Sequence, residues 1–136
     1  MRVLGVDFGL RRIGLALSDP GEVMATPLKS LVVSSVRNAP AAVAKVAREV
    51  EAEAVVVGVP FGLEGEEARA EVRRVERLAT ALRRELKLPV RLVDESFSSR
   101  EAEEVASGAD SHAVAAAVIL QRWLDRPRRP RMGGAT

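Results

Sequence analysis

The 136-residue sequence contains no cysteine and no tyrosine. Without cysteine, a disulfide framework, a thiolate zinc site and a cysteine nucleophile are all excluded. Aromatic residues make up only 3%, too few to line a platform on which the bases of a single strand could stack. There is one histidine, His112, and no serine is spaced from it as a nucleophile from its base. No apolar run approaches the roughly 18 residues of a membrane span. Met1-Arg2-Val3-Leu4 leads into a strand without a signal-peptide pattern. The expectation is a cytoplasmic protein with no membrane partner.

What is present reads as one folded domain. Hydrophobic residues are 47% and charged residues 29%, which fits a globular chain with its own core. The formal net charge is only +2, and the positive charge is unevenly placed. Arg122, Arg126, Arg128, Arg129 and Arg131 crowd the C-terminus around Pro127 and Pro130. The division expected is a single domain over 1–125 and a basic, disordered tail over 126–136, suited to touching phosphates.

Hydrophobic periodicity gives the elements in order. Val3 to Phe8 is a first strand, and Ile13, Leu15 and Leu17 alternate as a second after the Gly9-Leu10-Arg11-Arg12 turn. Ser18-Asp19-Pro20-Gly21 is a further turn. A third strand lies between Val23 and Val33, and Pro27 marks it as an edge strand or a bulge. Val43, Val46, Ala47 and Val50 recur at helical spacing, with Asn38 as candidate cap and Pro40 in the first turn. Ala54 to Val59 is apolar on both faces, as in a buried parallel strand. A long helix follows, with Ala68, Val72, Val75, Ala79, Leu82 and Leu86 on one stripe and arginine and glutamate elsewhere. Pro89 ends it, Val90 to Asp94 is another strand, Ser98 and Glu101 have capping-box spacing for a short helix ending near Gly108, and a last helix runs from about Asp110 to Leu124. Right-handed crossovers fold this order into an α/β structure: a mixed sheet of about five strands, three antiparallel and then parallel, with helices on both faces. Sites in such sheets form beyond the carboxyl ends of the strands.

Three acids interrupt apolar context near such ends. Asp7 lies inside the first strand, Glu95 follows the run Val90 to Asp94, and Asp110 precedes the apolar stretch Ala113 to Leu124. An ionised carboxylate is strongly disfavoured in an apolar setting unless neutralised. Three such acids suggest a divalent-metal site: two Mg²⁺ or Mn²⁺ ions bridged by carboxylates activate water and stabilise both oxygens of a phosphodiester displacement. Each acid also has an ordinary reading. Asp7 can accept from the Gly9-Leu10-Arg11 turn or pair with Arg11 or Arg12, Glu95 can be solvated, and Asp110 can be a plain helix N-cap. His112 is within one turn of Asp110 and suits proton transfer, or is simply a partly exposed helix residue. Trp123 reads as core.

The segment Leu4-Gly5-Val6-Asp7-Phe8-Gly9-Leu10-Arg11-Arg12-Ile13-Gly14-Leu15-Ala16 resembles a bacterial family described both as Holliday junction resolvases and as pre-16S rRNA nucleases. Three more segments match in order: Val57-Gly58-Val59-Pro60-Phe61-Gly62-Leu63-Glu64-Gly65, Asp94-Glu95 with Ser98-Ser99, and Asp110-Ser111-His112-Ala113 through Leu120-Gln121. The resemblance covers nearly everything but the tail. It implies an RNase H-like fold and a hydrolase that cleaves phosphodiesters, with Asp7, Glu95 and Asp110 as catalytic, metal-binding acids. Ser96 departs from the pattern, standing where the family usually carries arginine, and Arg100 is the nearest replacement.

The leading expectation is a metal-dependent nuclease on structured RNA, processing the 5′ end of pre-16S rRNA in ribosome biogenesis. Arg11, Arg12, Arg100, Arg128 and Arg129, with arginines of the long helix, would hold the phosphate backbone. The alternatives are a Holliday junction resolvase on four-way DNA, which favours a homodimer over a monomer, and a non-catalytic nucleic-acid-binding module.

Overall fold

Gly9-Leu10-Arg11 sends the chain straight back on itself, because Gly9 N–H donates to the Arg12 carbonyl at 3.0 Å. This hairpin joins β1 (Val3–Phe8) to β2 (Arg12–Ser18), and β3 (Ala25–Val32) adds antiparallel to β2. The computed structural model describes residues 1–60, 62, 64–95 and 110–127. The expected short helix near Ser98 to Gly108, and the tail beyond position 127, lie outside the described residues. After β3 come a short 3₁₀ turn (Val36–Asn38), α1 (Ala39–Glu49), β4 (Ala54–Val59), α2 (Glu66–Leu86), β5 (Val90–Asp94) and α3 (Ser111–Leu124). The sheet order is β3-β2-β1-β4-β5, with β4 parallel to both β1 and β5.

Pro27 has the two consequences its chemistry requires. β3 is an edge strand, and its register against β2 slips between Leu15 and Ala16, which face Lys29 and Pro27. The turn before it is organised by Asp19, whose carboxylate accepts from the N–H groups of Gly21, Val23 and Met24. Gln121 of α3 then fastens the strand's start, accepting from Ala25 N–H and donating to the Val23 carbonyl, both at 2.9 Å.

Alternation along β1 divides the core. Leu4, Val6 and Phe8 face α1 and α2, together with Leu15, Val55, Val57, Val75, Leu78 and Leu82. Val3 and the neighbouring Val56 face α3, against Ala116, Ile119 and Leu120. Asp7 therefore belongs to the α3 face, the side expected of its position in a period-two strand. Asn38 occupies the position before α1 but makes no side-chain cap; its backbone is already helical, and its amide donates instead to Ser34 Oγ. Ser35 caps the preceding 3₁₀ turn. Trp123 is half-buried against the α3-side core, and the Arg126 guanidinium stacks 3.5 Å from its ring centroid.

Candidate active site

Two glycines flank Asp7 and make its site possible. Asp7 pairs with Gly14 across β1–β2, and Gly14 with Ser30 across β2–β3. On the other side Gly58 lies one residue beyond the Val6–Val57 pair. A Cβ on Gly14 would sit 1.8 Å from the His112 carbonyl oxygen, so its absence lets the start of α3 rest on the sheet. A Cβ on Gly58 would sit 2.9 Å from Glu95 Oε2, so its absence admits that carboxyl over β4. Both gaps open beside Asp7.

Glu95 leaves the end of β5 and turns inward, anchored by its N–H to the Val59 carbonyl at 2.9 Å. It is not solvated: Glu95 is 8% exposed, and its Oε2 is buried with no hydrogen-bond partner among the described residues. Asp7 and Glu95 share a side-chain hydrogen bond, with Asp7 as acceptor. Burial, then the charge of Asp7, then its hydrogen bond push Glu95 up to about 9, with smaller contributions from Glu71 and Asp94. Asp7 is also raised, mainly by burial, against the opposing pull of Glu95 and of His112. At neutral pH the two carboxyls therefore hold a proton between them. Neither Arg11 nor Arg12 neutralises Asp7; both are exposed.

Asp110 is placed differently. It is the N-cap of α3, accepting from the N–H groups of His112 and Ala113, and Ser30 Oγ donates to it at 2.6 Å. These donors hold its carboxyl below the usual range, the Ser30 hydrogen bond most of all. Ser30 is two strands from Asp7, roughly 10 Å at about 4.8 Å per strand. Asp110 thus stands on the β3 side of Asp7, and Glu95 on the β4 side. Among the described residues, no three acids or histidines are grouped to hold one ion. The structure joins two of the three expected acids and uses the third as a cap.

Sequence reasoning missed Glu71. It reads as part of the solvated face of α2, yet it overhangs the carboxyl end of the sheet. Its pKa is raised by burial and by Asp7, and opposed by Arg74. Glu71 and Asp7 line a cavity of about 260 Å³ with Phe8, Gly9, Ser111 and His112. The only sequence signal was adjacency to Val72 of the apolar stripe. Arg100, Arg128, Arg129 and Ser96 lie outside the described residues.

The donors here are all oxygens, one of them buried and unpartnered. Such a set fits a proton or, once that proton leaves, a hard divalent cation. Asp7 and Glu95 would be its first holders.

Known proteins resemble the chain over most of its length. A family model for RuvX, described as Holliday junction resolvase, matches residues 1–126. A protein of Synechococcus elongatus named "Putative pre-16S rRNA nuclease" is 37% identical over 142 residues, covering 98% of this chain and 95% of its own. One of the same name from Anaeromyxobacter dehalogenans is 42% identical over 135 residues, covering 93% and 98%. Among solved structures, T. thermophilus RuvC in complex with a Holliday junction substrate superposes with a TM-score of 0.66 at 24% identity, covering 91% of this chain and 94% of that one. Fowlpox virus resolvase gives 0.56 at 10% identity, covering 92% and 97%. These two structural likenesses speak to the fold, which is RNase H-like. The class defined is a phosphodiester-cleaving hydrolase built on that fold. Within it, the chain belongs to the RuvX family.

Proposed function

We propose that this protein is a metal-dependent nuclease that hydrolyses phosphodiester bonds in structured RNA, and that its substrate is the 5′ region of pre-16S rRNA. The observation that carries the chemistry is the buried Asp7–Glu95 pair at the carboxyl end of the sheet, with Glu95 Oε2 lacking a partner among the described residues. The names of the relatives supply the substrate. Bacterial rRNA is made in the cytoplasm, and that is the setting this reading implies.

Asp7 and Glu95 would hold Mg²⁺ or Mn²⁺, with Asp110 joining from the start of α3 when substrate draws the site together. The chemistry such ions would supply there is a lowered pKa for a water and stabilisation of the leaving oxygen. The chain's own contribution is preorganisation. Gly14 and Gly58 admit the helix start and the Glu95 carboxyl, the core behind β1 and β4 keeps the acids in place, and burial makes their charge strongly dependent on a cation. His112 lines the same cavity, and its charge pulls the pKa of Asp7 down. That proximity supports a role for it in proton transfer.

The family description favours a second substrate, a four-way DNA junction. Side-by-side cleavage of labelled precursor rRNA and a synthetic junction separates the two. The expected outcome is cleavage of the RNA with Mg²⁺ or Mn²⁺, lost by on the order of a hundredfold or more in Asp7→Asn. An Asp7→Asn protein that cleaves at the wild-type rate overturns the mechanism. Cleavage of the junction alone overturns the substrate. Nucleic-acid affinity without metal-dependent cleavage of either would make the protein a binding module.

A further inference from the structure

The cavity at Asp7 does not end there. Phe8, Gly9 and Glu71 also line a second cavity of about 240 Å³ with Leu10 and Arg74. Phe8 and Arg74 then border a third, of about 330 Å³, completed by Val36, Arg37, Pro40, Arg77 and Leu78. Through these shared lining residues the three cavities adjoin in a groove that leads from Asp7 over the end of β1 toward α2 and the start of α1. Its character changes along the way. At the acid end it is lined by carboxylates. At the far end the lining combines apolar Phe8, Val36, Pro40 and Leu78 with three guanidinium groups, Arg37, Arg74 and Arg77.

Arg69 and Arg73, on the outward side of the same helix, pair with Glu66, and Arg48 of α1 pairs with Glu85. Among the described residues, Arg37, Arg74 and Arg77 form no ion pair within 4.0 Å with any carboxylate. Leu10 and Val36 are exposed along the groove, at 57% and 40%. Cations around an apolar hollow suit a ligand with an apolar face and flanking negative charge. A nucleotide has both: a base with a π-face and a phosphate on either side.

We propose that this groove is the path of an unpaired strand of the substrate, with one base seated between Val36, Pro40 and Leu78 and the adjoining phosphates on Arg37, Arg74 and Arg77. The groove fixes which nucleotide reaches the acids by holding the strand a short distance from the scissile bond. Its register rests on Asp7 and Glu95 being the hydrolytic centre; its affinity does not. The glutamate side chain of Glu71, between the two ends, repels phosphate and keeps the backbone against the arginine rim unless a cation intervenes.

Binding is measured by fluorescence anisotropy, using a fluorescein-labelled single-stranded RNA 12-mer in EDTA at several salt concentrations. Arg74→Gln/Arg77→Gln should weaken binding about tenfold and flatten the log–log salt dependence by about 1.4, at about 0.7 per lost phosphate contact on a single strand. Val36→Glu, placing an anion at the hollow, should weaken it similarly. Arg48→Gln/Arg91→Gln removes the same charge away from the groove and should leave affinity and slope within twofold of wild type. Melting curves confirm that each variant is folded. Equal losses in the groove and control pairs would reduce the effect to net charge and overturn the proposal, as would no affinity of the wild type for the single strand. Groove-dependent binding by a wild-type protein that cleaves nothing would support this path while sinking the hydrolytic reading.

Discussion

Glu95 carries the sharpest consequence at the scale of single residues. Its ordinary pKa is 4.5, and in the fold it is pushed up to about 9. Between those values the folded protein keeps a proton that the unfolded chain releases, so stability falls as pH rises through this window. Asp7, also raised, adds in the same direction. In EDTA the wild type should melt at a temperature lower by roughly 5 °C or more at pH 9 than at pH 5, and Glu95→Gln should largely flatten that slope. A wild-type protein equally stable at both pH values would mean the carboxyl is not buried as described. Asp110 is shifted the opposite way, its stabilisation being present above its ordinary pKa and lost only in acid. Its two readings can be separated by chemistry. Asparagine caps helices about as well as aspartate, so Asp110→Asn should unfold within about 0.5 kcal/mol of wild type. If Asp110 also holds a cation with substrate bound, the same variant should lose cleavage by on the order of a hundredfold, about 2.7 kcal/mol of barrier. Full activity in Asp110→Asn would leave it a cap and nothing more.

At the scale of elements, the strands were legible because their constraints are local. Alternation in Ile13, Leu15 and Leu17, the unbroken apolar run Ala54–Val59, and Pro27 at an edge each state a rule that acts within a few residues. Asp7 was legible for the same reason, as a charge inside an apolar strand. What escaped was decided by neighbours distant in sequence. Glu71 looks like any glutamate on a solvated helix face until α2 is laid over the end of β1. Asp110 looks like a cap and is one, but its hydrogen bond from Ser30, 80 positions away, cannot be read from either segment. Nor can the fitting of Gly14 and Gly58 to His112 and Glu95. The end of α2 offers a prediction of its own. Lys87 closes the helix in the left-handed region, at φ 57°, where its N–H donates to the Arg83 carbonyl. A Cβ is unfavourable there and glycine is preferred, so Lys87→Gly should stabilise the protein by up to about 1 kcal/mol, the relief of strain exceeding the added chain entropy. A chemical-denaturation midpoint that moves down would show the helix end is not held this way.

For the molecule as a whole, the sheet order brings β1, β4 and β5 side by side and parallel, so that their carboxyl ends deliver Asp7 and Glu95 to one place. The α3 face seals that place from behind through Ile119 and Leu120, and the groove past Phe8 leads away from it. No helix among the described residues is long and apolar enough to cross a membrane. Metal binding at this site requires the acid pair to exchange its shared proton for a cation. Calorimetric titration of Mn²⁺ into the metal-free protein at pH 7, repeated in buffers of different ionisation enthalpy, counts protons released per ion bound. The result predicted is release of about one proton by the wild type, with binding and release lost in Asp7→Asn, and binding weakened and no longer coupled to proton release in Glu95→Gln. Mn²⁺ binding that releases no proton and is indifferent to Asp7→Asn would contradict it.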